Sequence, residues 1–200
     1  MPFLKNKLTF SVFILILSSV ITLSVSAADF ATTESLAQQG DAKNQYDLGV
    51  IYTEGKIVEQ DYFKAVDLFR KAANQGYAKS QYNIGVMYAK GHGVRQDYDK
   101  AREWYEKASA QGIASAEYNL SVFYYYGKGV PQDYVKAYNW QRKAAAKGLP
   151  SAQYGLGVAY YHGRGVSQNK VIAKEWFGKA CDNGDQTGCN EYKKLNNLGH

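Results

Sequence analysis

Three histidines, two cysteines and one Ser-x-x-Lys string are the residues of this 200-residue chain whose types could do chemistry. His92, His162 and His200 each lack a second histidine or cysteine at the spacing by which zinc sites are built, so they read as exposed loop histidines. Ser167-Gln168-Asn169-Lys170 has the spacing that sets a serine nucleophile beside a lysine in β-lactamases and penicillin-binding proteins. The companion Ser-Asp-Asn and Lys-Thr-Gly strings of those enzymes are absent. Cys181 and Cys189, with seven residues between them, are too far apart for a thioredoxin-type redox pair. Gly91-His92-Gly93 would cradle a phosphate only after a strand, and it follows a helical pattern instead. The expectation is a chain with no catalytic residue, no cofactor and no metal.

The elements that would position these residues come from a phrase repeated four times at a spacing of 36, ending at Gly76, Gly112, Gly148 and Gly184, with Gly40 in the same phase. So strict a repeat signals one structural unit stacked on itself. Tyr46, Tyr82, Tyr118 and Tyr154 share a slot, followed by Leu48, Ile84, Leu120 and Leu156, then by Gly49, Gly85, the departure Ser121, and Gly157. Tyr52, Tyr88, Tyr124 and Tyr160 precede glycine turns at Gly55, Gly91, Gly127 and Gly163. Ala65, Ala101, Ala137 and Ala173 precede Leu68, Trp104, Trp140 and Trp176.

Apolar and small residues recur at three- and four-residue steps on both sides of each glycine turn, so each unit reads as two antiparallel helices. Asp97 is placed to cap the second helix of its unit, and Pro150 sits where a first helical position tolerates its missing donor. Gly85, with Ala101 and Ala108, lets the two backbones approach, while tyrosines and Trp104 fill the space between units. The predicted fold class is all-α, a solenoid of antiparallel helix pairs.

The strings A-x-x-x-Y-x-x-G-V-x-Y-x-x-G-x-G-V and D-Y-x-K-A-x-x-W-Y-x-K-A, read in the second copy between Ala78 and Ala108, resemble the Sel-1-like repeat, a longer relative of the tetratricopeptide repeat. The resemblance covers Asp41 to Gly184 and implies a right-handed α-solenoid that holds protein partners. Relatives include envelope signalling regulators, host-contact factors and immunity proteins that block secreted effectors. The cysteine-rich secreted branch has been described as penicillin-binding or β-lactamase-like, which is the alternative function the resemblance implies; Ser167, in the slot of the turn and helix cap, is a poor nucleophile for it. That branch also carries an intra-repeat disulfide. Here Cys181 falls near the end of a second helix and Cys189 in the first turns of the next, so a hairpin at Gly184 brings the two faces together. A bridge fits an exported chain, and two free buried thiols are the other reading.

In chain order, 1–27 reads as a secretory signal: Lys5 and Lys7 precede an apolar tract from Leu8 to Val25, and Val25-Ser26-Ala27 fits cleavage after Ala27. The tract is long enough for a retained anchor, but its serines and threonine disfavour one. Removing two lysines and no acid lowers the net charge from +6 to +4. With no basic run, solvated helix faces account for the charges and nucleic acid is not an expected partner. Residues 28–40 read as an N-terminal capping half-repeat, 41–76, 77–112, 113–148 and 149–184 as repeats, and 185–200 as a C-terminal capping helix. In the fourth repeat Asn169-Lys170 replaces the Asp-Tyr of the others, which predicts looser packing there. The expected location is periplasmic or secreted, with no membrane span once the signal is removed.

If first helices line the concave side, their non-core positions define a groove. Its N-terminal half carries Lys79 and Lys90, and its C-terminal half gathers Tyr118, Tyr125, Tyr126, Tyr154, Tyr161 and His162. Tyrosine joins a large apolar face to a hydrogen-bonding tip at low entropy cost, which suits recognition. These eight residues are the expected contact site for a protein partner. Tyr118 and Tyr154 also fit inter-repeat packing because their slot is aromatic in every copy, whereas the slots of Tyr125, Tyr126 and Tyr161 vary.

Overall fold

A computed structural model describes residues 29–199, and among these there is helix and no strand. Residues 1–27, expected to be a secretory signal, and His200 lie outside the described residues. Helix α1 covers 29–38. It is followed by α2 (Ala42–Glu54), α3 (Tyr62–Asn74), α4 (Ala78–Lys90), α5 (Tyr98–Ala110), α6 (Ala114–Tyr126), α7 (Tyr134–Ala146), α8 (Pro150–His162), α9 (Lys170–Asp182) and α10 (Gln186–Asn197). The pairs α2/α3, α4/α5, α6/α7 and α8/α9 are the repeating units of an α-solenoid, and Pro150 opens α8. Among the described residues no helix is long and apolar enough to cross a membrane.

The same devices end and start the helices in every unit. First helices stop at Gly55, Gly91, Gly127 and Gly163, with φ between 67° and 72° at all four, a left-handed conformation that costs glycine nothing. The Asp61, Asp97 and Asp133 side chains accept from the backbone N–H three residues on, and Asn169 does the same for Ile172 N–H at 3.0 Å. Between stop and start, Gln60, Gln96, Gln132 and Gln168 each donate a side-chain N–H to a carbonyl of the preceding helix end. That satisfies acceptors the helix leaves open.

Within a unit the two helices meet at glycine. A Cβ on Gly49 would lie 2.7 Å from the Phe69 ring, and one on Gly85 would lie 2.7 Å from the Tyr105 ring. Gly157 faces Phe177 in the same way. Ser121 breaks the glycine slot, and there the opposing ring is replaced by Gln141, whose amide turns instead against Gly155. Between units, Trp104 packs on the cluster that includes Ala73 and Ile84, Trp140 on that of Leu120, and Trp176 on that of Ala145 and Leu156. Each indole is covered by a lysine one turn on, at 4.1 to 4.3 Å from the ring centroid.

A ladder of buried polar groups also joins the units. Gln75 donates to Gln45 Oε1 at 2.8 Å, and Gln111 to Gln81 Oε1 at 2.8 Å. Lys147 donates to Glu117 Oε1 at 2.7 Å, and Asn183 to Gln153 Oε1 at 2.9 Å. Gln45, Gln81 and Gln153 in turn donate to the carbonyls of Ala37, Ala73 and Ala145, eight residues earlier in each case. In the next position of this series stand Cys189 and, eight residues before it, Cys181, joined by a disulfide with Cα atoms 4.5 Å apart. The bridge thus takes the place of a hydrogen bond, and the free-thiol reading falls.

Candidate partner-binding surface

Tyr118 and Tyr154 are packing residues in large part. Tyr118 lies against the cluster of Ala144, Ala145, Ala152 and Leu156, and Tyr154 against that of Ala173, Phe177 and Leu195, with the Phe177 ring centroid at 5.5 Å. Burial raises the ionisation of both phenols above the usual tyrosine range.

The three variable tyrosines behave differently from one another. Tyr126 is 64% exposed and packs edge-on to Tyr125 with centroids 4.8 Å apart. Tyr125 is half-buried: its hydroxyl accepts from the Arg164 guanidinium, and its ring lies 5.2 Å from Tyr134. Tyr125 and its partner Arg164 both stand in slots that vary from copy to copy. Tyr161 is half-buried against the Ala173, Phe177 and Leu195 cluster, edge-on to the exposed His162 at 4.9 Å. Lys79 and Lys90 are exposed and belong to α4, whereas the rings belong to α6 and α8.

The sequence reading misses the cations that sit among these rings. The middle residue of each Gly-x-Gly turn reaches back to the tyrosine that opens the second helix of the preceding unit. His92 stacks on Tyr62 at 4.6 Å, Lys128 lies 5.9 Å from the Tyr98 ring, and Arg164 lies 5.8 Å from the Tyr134 ring. His92 is thus half-buried and stacked, not the exposed loop histidine expected. The signal was present, since Lys56, His92, Lys128 and Arg164 are all cationic or aromatic in one slot. Lys128 also lies 5.8 Å from Tyr126, and Lys170 lies 6.0 Å from Tyr161. Lys170 stands where the earlier units have tyrosine.

The arrangement offers aromatic faces, phenol tips and cations, which suits binding. Ser167 is exposed in the turn before α9. Among the described residues no three His, Cys, Asp or Glu side chains gather as a metal site would need.

The Sel1 repeat pattern matches residues 45–77, 78–113, 114–149 and 150–185. The chain is 39% identical to c5321, a protective antigen of uropathogenic Escherichia coli strains displaying this fold, with a TM-score of 0.81 over 85% of this chain and 36% of that one. It therefore spans little more than a third of that antigen's length. A Sel1 repeat protein from Oxalobacter formigenes is 30% identical with a TM-score of 0.80, covering 86% of this chain and 68% of that one. Cysteine rich protein B of Helicobacter pylori is 26% identical with a TM-score of 0.53, covering 68% of this chain and 98% of that one. Among curated proteins, none matches. With four in-phase units matched across most of its length, the chain belongs to the Sel1 repeat family.

Proposed function

We propose that the protein is a non-catalytic interaction scaffold that grips a protein partner with the rings of α6 and α8 and the cations beside them. The observation that carries this reading is Tyr126: a large aromatic side chain left 64% exposed, beside Tyr125 and Lys128. An exposed aromatic group bordered by polar atoms is what contact hot spots use. Tyr161 and His162 extend the same set on α8, and Lys79 and Lys90 supply outlying charge. The disulfide and the apolar leader tract support action in the periplasm or outside the cell. The division into 28–40, four repeats and 185–200 fits this role, with α1 and α10 closing the stack at its two ends.

The test is crosslinking in intact cells followed by mass spectrometry, comparing the native protein with the double variant Tyr126→Ala, His162→Ala, both at exposed positions. Partner capture should fall at least about tenfold, as loss of hot-spot residues implies, while the melting temperature moves little. Undiminished capture removes the reading. A narrower form has the protein inhibit a secreted effector, and it requires that the captured partner be toxic to cells lacking this protein.

A further inference from the structure

Each of the last three units holds an indole in the groove between its second helix and the preceding one. Trp104, Trp140 and Trp176 lie there, roofed by Lys107, Lys143 and Lys179. In the first unit the corresponding residue is Leu68, while the lysine of the motif is kept as Lys71. Without a ring beneath it, Lys71 pairs with Asp67 at 2.8 Å. The groove between α3 and α1 is open at that point, as a cleft of about 390 Å³.

The walls of the cleft are the same as those that hold the indoles elsewhere. Its lining includes Ala37, Leu48 and Tyr52, which correspond to Ala73, Ile84 and Tyr88 around Trp104. Ala37 and Leu48 at the base are only 5% and 4% exposed, so a ligand's apolar contact falls mainly on the half-buried Tyr52 and Leu68 above them. The carboxylates of Glu34 and Asp67 also line the cleft, and Phe63, 77% exposed, forms an aromatic lip.

We infer that this cleft is a binding site for one aromatic side chain, an indole by preference, presented by a partner polypeptide. The occupant is read from the molecule itself: three copies of the same niche are filled by tryptophan under lysine, and the fourth keeps the floor and the lysine but has Leu68 in place of the ring. Burial of an aromatic group on apolar walls under an ammonium is favourable in both its parts. The site is separate from the tyrosines of α6 and α8 and does not depend on them.

The test uses the full protein and N-acetyl-tryptophanamide as probe, followed by the methyl NMR signals of Ala37, Leu48 and Leu68. The expected result is saturable shifts of these methyls, at least about fivefold tighter than with N-acetyl-leucinamide, in line with the aromatic and cation–π increments. Leu68→Trp, which fills the cleft from within, should abolish the shifts and raise the melting temperature. Lys71→Ala, at an exposed position that leaves the fold intact, should weaken the probe about threefold. Absence of saturable shifts, equal affinity for the leucine probe, or a lowered melting temperature in Leu68→Trp would each overturn the inference. So would a concentration-dependent dimer that Leu68→Trp dissolves, because the cleft would then belong to a second copy.

Discussion

A single methyl group sets how closely the two helices of a unit approach. At Gly85 a Cβ would stand 2.7 Å from Tyr105 and 3.3 Å from the carbonyl of Ala101, so Gly85→Ala overpacks a rigid ring against backbone. Its cost should be about 1–3 kcal/mol in denaturant unfolding. In the third unit serine takes the glycine slot and Gln141 the ring's slot, with its amide lying against Gly155 instead. Combining Gly85→Ala with Tyr105→Gln should therefore lose less than the two single variants together, and strict additivity would contradict the coupling. Ser80 carries the opposite lesson. Its hydroxyl is fully buried without a hydrogen-bond partner, in a slot that holds Ala116 and Ala152 in later units. Ser80→Ala should raise stability by about 1 kcal/mol by removing that orphan, and a variant that melts lower than the native protein would show the hydroxyl to be satisfied.

At the scale of elements, the helices were legible because their slots keep one residue type: glycine at the stops, aspartate at the starts, alanine and tyrosine in the packing. What joins one unit to the next was harder to read, because it lies in pairs whose members change together. Gln45–Gln75 and Gln81–Gln111 become Glu117–Lys147 and then Gln153–Asn183, so neither slot looks fixed when scanned alone. The candidate rings are legible by type, but the cation at Tyr125 is not, because Arg164 arrives from the following turn. The joint between α7 and α8 gives a pH test. Burial, then the 2.9 Å contact between the Tyr138 and Tyr160 hydroxyls, pushes the Tyr138 phenol up to about 12. A folded value above the unfolded one, near 10, stabilises the protein fully below pH 10 and less as pH rises toward 12. Tyr138→Phe should flatten the alkaline fall in melting temperature over that interval, and an unchanged profile would place the transition elsewhere.

For the molecule as a whole, the closest backbone approaches join helices that are consecutive in the chain, so stability passes from neighbour to neighbour. An end helix has such a neighbour on one side among the described residues, and α10 is held by three things: Leu195 in the cluster of Ala173 and Phe177, the close seat of Gly188 on α9, and the Cys181–Cys189 bridge. The bridge closes so short a loop that its loss should cost about 2–3 kcal/mol on the chain-entropy account. In a globular domain that loss would be felt everywhere, whereas in a nearest-neighbour stack it should stay local. Hydrogen exchange before and after reduction distinguishes the two. Amides of α10 and of the end of α9 should lose protection while those of α2 to α5 keep theirs. The paired substitution Cys181→Ala with Cys189→Gln should then recover part of the protection under reducing conditions, because it rebuilds the amide-to-carbonyl rung found at Gln45, Gln81 and Gln153. A loss spread evenly over all helices would mean that the units fold as one cooperative block and that the bridge guards the entire stack.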